Sequence, residues 1–135
     1  MISKILIDTN VYAFFMRGEE AVEPYFKNSD VLYISAIVIG ELFAGFNGGT
    51  RIRENKRILE KFISRSKVKV LDVTPETAEI YGEIKAELKK KGTPVPINDV
   101  WIAAHAIETG SKLLTYDHHF KKISGVRLWE EIENQ

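Results

Sequence analysis

The architecture of this chain follows from the stretch Lys4-Ile5-Leu6-Ile7-Asp8-Thr9-Asn10, close to its first residue. The apolar centre of the stretch is typical of a short strand that is buried on both faces of a parallel sheet. Asp8 ends that strand abruptly. Because open α/β sheets bind their ligands outside the carboxyl ends of the strands, Asp8 is predicted to lie at the functional edge of such a sheet.

Further apolar segments have the same strand-like character and are separated by helical patterns. They cover residues 31–34, 68–71 and 112–115, and a weaker strand is predicted around Val126. Ser35 and Thr74 are suited to cap the helices that follow two of these strands, and Asn98 or Asp99 is expected to open a later helix. Strands that alternate with helices predict an α/β fold with a parallel sheet covered on both faces.

The composition excludes several classes of site. The 135 residues include no cysteine, which excludes disulfides, thiolate metal sites and cysteine nucleophiles. The apolar run over residues 5–7 is far too short for a signal-peptide core or a membrane span. We therefore expect a single domain over residues 1–135 in a soluble, cytoplasmic protein.

Four carboxylates stand where a hydrophobic segment ends or a helix begins. They are Asp8, Glu41, Asp99 and Asp117. If these side chains converge, two carboxylates about 4 Å apart repel each other by roughly 4 kcal/mol at an effective dielectric constant near 20. A divalent cation relieves that repulsion, so the pattern predicts a Mg²⁺ or Mn²⁺ site.

Each carboxylate also has a simpler explanation when it is taken alone. Asp8 could cap the helix that follows it, and the charge of Asp99 is favourable at a helix start without any metal. Glu41 could point to water, and Asp is common in turns such as the one around Asp117. The neighbouring His118 and His119 are interpreted as solvated turn residues rather than as a proton shuttle or ligand. The metal hypothesis depends on the joint pattern.

The charge of the whole chain is balanced, with 19 basic and 19 acidic residues, so it does not indicate a polyanionic partner. Residues 51–70, however, carry eight basic residues and only two acidic ones. This segment is predicted to be an amphipathic helix whose cationic face is either simply solvated or holds phosphates. The residues predicted to contact a phosphate backbone are Arg51, Arg53, Lys56 and Arg57.

The order of these motifs resembles the PIN domain, and more narrowly the VapC-type ribonuclease toxins of toxin–antitoxin systems. The resemblance is carried by residues 5–10, the Glu41 helix, residues 98–104 and residues 114–117. It implies a three-layer α/β/α sandwich with a mostly parallel five-stranded sheet. It also implies a Mg²⁺-dependent endoribonuclease, with Mn²⁺ as an alternative ion, that cuts RNA, pairs with a VapB-like antitoxin and forms a homodimer.

The resemblance also assigns roles to individual residues. Asp8, Glu41 and Asp99 match the core acids and Asp117 matches the fourth acid, so these four are the expected catalytic residues. Asp8 and Asp99 are the expected metal ligands. Asn10 and Thr115 fall at accessory polar positions.

Three other interpretations remain open from the sequence. A PIN-type nuclease could act in RNA processing or cleave DNA, because the metal chemistry does not distinguish the sugars. A phosphoryl-accepting signalling domain would use Asp72, after the third strand, as its acceptor. A binding module without activity would use the acids to receive an arginine from a partner.

Overall fold

A computed structural model describes residues 2–129 of the chain. In these residues five strands and six α-helices follow one another in the predicted alternation, and a 3₁₀ turn over His118–Lys122 precedes the last strand. The strands are β1 (Lys4–Ile7), β2 (Val31–Ser35), β3 (Val68–Leu71), β4 (Lys112–Leu114) and β5 (Arg127–Leu128). The helices are α1 (Thr9–Met16), α2 (Glu23–Asn28), α3 (Ala36–Asn47), α4 (Ile52–Ile63), α5 (Pro75–Lys91) and α6 (Ile97–Thr109).

The strands form one sheet in the order β3-β2-β1-β4-β5, and every neighbouring pair is parallel. β1 is the central strand, and Ile5, Leu6 and Ile7 have no exposed surface. Side chains alternate between the two faces of a strand, so their complete burial means that both faces are covered. The predicted buried strand and the predicted parallel α/β sheet are confirmed.

The chain order places the helices in two outer layers. From β1 the chain moves to β2 and β3, and it then crosses back over the sheet to β4 on the other side of β1. Because such crossovers are right-handed, α1 to α4 cover one face and α5 and α6 cover the other. The direction of winding reverses between β1 and β4, which is where α/β sheets open a crevice at their carboxyl ends.

Two of the predicted helix starts are confirmed. The Ser35 hydroxyl accepts a hydrogen bond from the Ile37 amide at 3.0 Å and caps α3. Thr74 caps α5 in a reciprocal arrangement with Thr77, and Pro75 occupies the first helical position.

The predicted start of α6 is wrong. The helix begins at Ile97 after Pro96, and no side chain caps it. Proline at that position already has a φ of −53°, and it has no amide hydrogen to satisfy. Asn98 and Asp99 therefore lie inside the first turn, where their side chains are not used as caps.

A buried histidine connects three elements near the carboxyl edge of the sheet. His105 on α6 is fully buried, with Nδ1 3.0 Å from the Ser35 hydroxyl and Nε2 3.0 Å from the Asp72 carbonyl oxygen. A carbonyl can only accept, so Nε2 carries the hydrogen and Nδ1 accepts from Ser35. His105 thus fixes α6 against the start of α3 and the residue after β3. No helix within residues 2–129 is long and apolar enough to cross a membrane.

Candidate active site

The candidate site lies at the carboxyl ends of β1 and β4, the two strands between which the winding reverses. Asp8 follows β1 directly, and Thr115 follows β4 directly. β1 and β4 are hydrogen-bonded neighbours, with Ile7 opposite Leu114. The two segments that leave these strands therefore begin side by side.

Asp8 is held by hydrogen bonds to both of its carboxylate oxygens. Oδ1 accepts from the Val11 amide at 2.9 Å, which makes Asp8 the N-cap of α1, and Oδ2 accepts from the Thr115 hydroxyl. The Thr115 hydroxyl also accepts from the Asp117 amide at 2.9 Å. Thr115 consequently links Asp8 to the segment that carries Asp117. Asp8 can therefore cap α1 through Oδ1 and still belong to the acidic cluster through Oδ2.

Glu41 is held by residues from two other helices and is only half exposed. Its Oε1 accepts from the Thr9 hydroxyl at 2.6 Å, and its Oε2 accepts from the side-chain amide (Nδ2) of Asn98 at 3.4 Å. These bonds join α3 to the first turns of α1 and α6. Glu41 therefore points toward the cluster and not simply to water.

Asp99 and Asp117 meet at the ring of His119. Nδ1 of His119 lies 3.2 Å from Asp99 Oδ2 and 2.9 Å from Asp117 Oδ1. One ligand atom from each of these three residues lies within 4.8 Å of the others. The interpretation of His119 as a solvated turn residue is therefore wrong: His119 is in the turn, but its ring belongs to the acidic cluster. His118 is exposed, as expected.

The electrostatics of the site show that the carboxylates act on one another. The pKa of Asp8 is raised to about 6, mainly by burial, since only 6% of the residue is exposed. Hydrogen bonds from Thr115 and Val11 oppose this shift, and the charges of Asp117 and Asp99 add to it. Burial also raises the pKa of Asp99, with contributions from Asp117 and Glu41.

Within residues 2–129, no lysine or arginine forms an ion pair with any of the four carboxylates. Asp99 and Asp117 pair with His119 alone, and Asp8 and Glu41 form no ion pair in this part of the chain. Neighbouring carboxylate oxygens are the donor set that a hard divalent cation such as Mg²⁺ takes, and two of these groups, Asp8 and Asp99, have raised pKa values. The residues therefore fit a divalent metal ion.

The predicted accessory residues have different positions. Thr115 is buried between Asp8 and Asp117, whereas Asn10 is exposed on α1. It is Thr9, not Asn10, that hydrogen-bonds Glu41. The roles assigned to Asn10 and Thr115 stay predictions.

The basic residues predicted to contact a phosphate backbone lie at the start of α4, which packs against α3, the helix that carries Glu41. Arg51, Arg53 and Arg57 are exposed, and Arg51 makes a loose ion pair with Glu54 at 3.9 Å. The Lys56 ammonium lies 5.8 Å from the centre of the Phe43 ring. Lys67, from the same basic segment, instead binds carbonyl oxygens at the end of α2.

Comparison with known proteins identifies the fold family. The PIN domain model matches residues 5–126. The tRNA(fMet)-specific endonuclease VapC of Salmonella typhimurium is 35% identical over 128 residues, which cover 93% of this chain and 96% of the relative. Ribonuclease VapC2 of Haemophilus influenzae is 32% identical, with 92% of this chain and 95% of the relative covered.

Solved structures agree with these relatives. The DNA-bound VapBC complex from Salmonella typhimurium contains a chain that superposes with a TM-score of 0.84 at 34% identity, covering 94% of this chain and 97% of that one. A chain of VapBC2 from Rickettsia felis, bound to a DNA fragment from the promoter, superposes with a TM-score of 0.79 at 28% identity, covering 93% of this chain and 96% of that one. This chain therefore belongs to the PIN-domain family and, within it, to the VapC ribonucleases of toxin–antitoxin systems.

Proposed function

We propose that this chain is a Mg²⁺- or Mn²⁺-dependent endoribonuclease that hydrolyses RNA phosphodiester bonds and serves as the toxin of a toxin–antitoxin pair. The observation that carries the proposal is that Asp99 and Asp117 meet at one point and that their charges act on Asp8 and Glu41, with no lysine or arginine partner among residues 2–129. A bound divalent cation would relieve the repulsion within such a cluster.

Each acid has a defined role in this proposal. Asp8 and Asp99 would hold the metal, and Glu41 and Asp117 complete the acidic wall around it. When bound, the ion supplies a Lewis acid that activates water and neutralises the scissile phosphate. One of the carboxylates accepts the proton that the attacking water loses.

The polar residues around the acids position them. Thr115 and the Val11 amide fix the two oxygens of Asp8, and Thr9 and Asn98 fix those of Glu41. Fixed ligands lose little conformational freedom when a cation binds, which favours binding. Arg51, Arg53, Lys56 and Arg57 hold the RNA backbone beside the site through their charges.

The partners follow from the relatives. Solved structures of similar chains are toxin–antitoxin complexes, so we extend to this chain a VapB-like antitoxin. A homodimer is proposed by the same extension. We propose that it acts in the cytoplasm, where its RNA substrate and its antitoxin would be present. Its organisation as a single domain over residues 1–135 stays a prediction.

The phosphoryl-acceptor hypothesis fits the structure less well. Asp72 follows β3, which is the edge strand of the sheet and is separated from β1 by β2. The charges that raise the pKa of Asp8 are those of Asp117 and Asp99, and Asp72 is not among them. Asp72 therefore lies outside the acidic cluster that a metal-assisted phosphoryl transfer would need.

The test is cleavage of total RNA by the purified chain, with Mg²⁺ or Mn²⁺ and with a chelator, followed by mapping of the new ends. We expect new ends only with metal, and none with Asp99→Asn. Asp72→Asn is the matched control, since it makes the same substitution at an exposed acid outside the cluster, and it should cleave like the wild type. Equal turnover by metal-replete Asp99→Asn protein would contradict the proposal. Labelling of the wild type, but not of Asp72→Asn, by acetyl phosphate would favour the phosphoryl-acceptor hypothesis.

A further inference from the structure

We propose that His119 is itself a ligand of the divalent ion, and that its ring nitrogen gives the site a preference for transition-metal ions such as Mn²⁺ over Mg²⁺. This inference rests on the metal site of the proposed function. It adds a nitrogen donor to a set of ligands that otherwise consists of carboxylate oxygens.

The geometry around Nδ1 is that of a shared coordination sphere. Nδ1 lies 3.2 Å from Asp99 Oδ2 and 2.9 Å from Asp117 Oδ1. Adjacent ligands of an octahedral ion with bonds near 2.1 Å are about 3 Å apart. Nδ1 therefore already lies at the spacing of a neighbouring ligand from each of the two carboxylate oxygens, and all three atoms lie within 4.8 Å of one another.

The local backbone explains why the ring stays in this position. Asp117 is the N-cap of the 3₁₀ turn, and its Oδ1 accepts from the backbone amide of His119 at 2.9 Å. The same oxygen lies 2.9 Å from the ring nitrogen of His119. Two contacts from one residue to one oxygen limit rotation of the ring away from the carboxylates. The His119 side chain is still 44% exposed, so an ion and its water can reach it.

The position of Asp99 supports a ligand role rather than a capping role. Asp99 lies within the first turn of α6, no side chain caps that helix, and its Oδ2 is directed to the His119 ring. Asp99 precedes β4 in the sequence, and His119 follows it, 20 residues after Asp99. The ring and the carboxylate are brought together by the fold and not by a local turn.

The chemistry of a nitrogen donor predicts a change of selectivity. Mg²⁺ is a hard ion that takes oxygen ligands and keeps much of its water. Replacing one nitrogen ligand by an oxygen should therefore change its binding affinity little. Affinity for nitrogen donors rises from Mn²⁺ to Co²⁺ along the transition series. Loss of the imidazole should therefore weaken Co²⁺ binding most, Mn²⁺ binding less and Mg²⁺ binding least.

The test is metal binding by the full chain without RNA, using His119→Gln and the matched control His118→Gln. Gln retains an oxygen that can bind a metal, and His118 is the adjacent exposed histidine. We expect His119→Gln to weaken Co²⁺ binding by about tenfold and Mn²⁺ binding by severalfold, with Mg²⁺ binding nearly unchanged. Pulsed electron paramagnetic resonance of the Mn²⁺-loaded wild type and of His118→Gln should show coupling to nitrogen, which His119→Gln should lack.

The outcomes separate this inference from the function it rests on. Mn²⁺ binding that is lost in Asp99→Asn but shows no nitrogen coupling in the wild type overturns the role of His119 and leaves the metal site intact. Equal loss of all three ions in His119→Gln also overturns it, because that pattern indicates only that the ring positions the carboxylates. Absence of metal binding by the wild type overturns both proposals.

Discussion

The strands of the sheet end at the carboxyl edge, which carries carboxylates, and begin at the opposite, amino edge, which carries cations. The two sets of charges have different partners. At the carboxyl edge, Asp8 is almost completely buried beside Asp99 and Asp117, and its burial, with a smaller contribution from their charges, raises its pKa. At the amino edge, Lys4 donates to the Thr109 carbonyl oxygen and Arg127 donates to that of Gly110, both at 2.9 Å. Those two cations satisfy carbonyls at the end of α6, where the helix dipole favours positive charge.

The two edges therefore differ in what their charges do to the stability of the fold. The cations of the amino edge contribute to stability because the protein itself supplies their partners. At the carboxyl edge, the raised pKa values of Asp8 and Asp99 mean that their charges destabilise the fold, which is common where a protein keeps charged groups for chemistry. Removing a charge should therefore have opposite effects on stability at the two edges.

The largest expected effect is on cleavage by Asp8→Asn. The substitution keeps the shape of the side chain but removes the charge that would bind the metal. Loss of groups that merely support metal ligands already costs roughly 10- to 100-fold, so we expect cleavage to fall by at least about 100-fold. Initial rates on a mapped RNA substrate at saturating Mg²⁺ measure this. Cleavage within a few-fold of the wild type would contradict the role of Asp8.

The same substitution should stabilise the metal-free protein. The pKa of Asp8 is raised from 3.8 to about 6, so the folded protein binds a proton that the unfolded chain releases between these values. Its contribution to stability is full below about pH 4 and is lost as the pH rises through about 6. At pH 7 the free energy of unfolding of Asp8→Asn should exceed that of the wild type by up to about 3 kcal/mol, and at pH 4 the difference should nearly vanish.

Chemical denaturation with a chelator at both pH values measures this difference. Asp8→Ala is the control for the helix cap, because it also removes the hydrogen bond to the Val11 amide, which is worth about 1 kcal/mol. It should therefore be less stable than Asp8→Asn. If Asp8→Asn is less stable than the wild type at pH 7, the buried charge of Asp8 does not destabilise the fold as described.

At the amino edge the sign should reverse. Lys4→Met keeps the aliphatic part of the side chain and removes the charge that binds the Thr109 carbonyl oxygen. We expect the free energy of unfolding to fall by about 1 kcal/mol, with cleavage unchanged. Lys27→Met, which removes an exposed lysine near the end of α2, serves as a control. Stabilisation by Lys4→Met would remove the contrast between the edges.

The smallest expected effect concerns the basic residues of α4. Arg53→Ala and Arg57→Ala should each weaken RNA binding a few-fold at low salt and reduce the dependence of affinity on salt by about one phosphate contact. Fluorescence anisotropy over a salt series, with the inactive Asp99→Asn protein as background, measures both. Lys27→Ala is a charge-matched control. An unchanged salt dependence would mean that the α4 surface is simply solvated.

Much of the fold could be predicted because its signals are local. The apolar run of β1 and the caps Ser35 and Thr74 depend on residues only a few positions apart, and each lies where the sequence indicates. The start of α6 was missed because Pro96 replaces a capping side chain by a fixed backbone angle. Asp99 is therefore predicted as a possible N-cap, although it lies in the first turn of α6.

The site could be predicted only in part, because its contacts are distant in sequence. Asp8 and Asp117 were identifiable from their positions after strands, but Thr9 with Glu41 and His119 with Asp99 are pairs that only the folded chain brings together. His119 stands two residues after an Asp that caps the turn, and this spacing is the one signal that could have indicated it. The direction of its ring depends on the 3₁₀ geometry.

The most direct test of the metal site is a crystal soaked in Mn²⁺, measured near the manganese absorption edge. We expect an anomalous peak within about 2–2.5 Å of carboxylate oxygens of Asp8 and Asp99, and its loss in Asp99→Asn. Acids that point away from one another, or a well-diffracting soaked crystal with no peak among them, would contradict it.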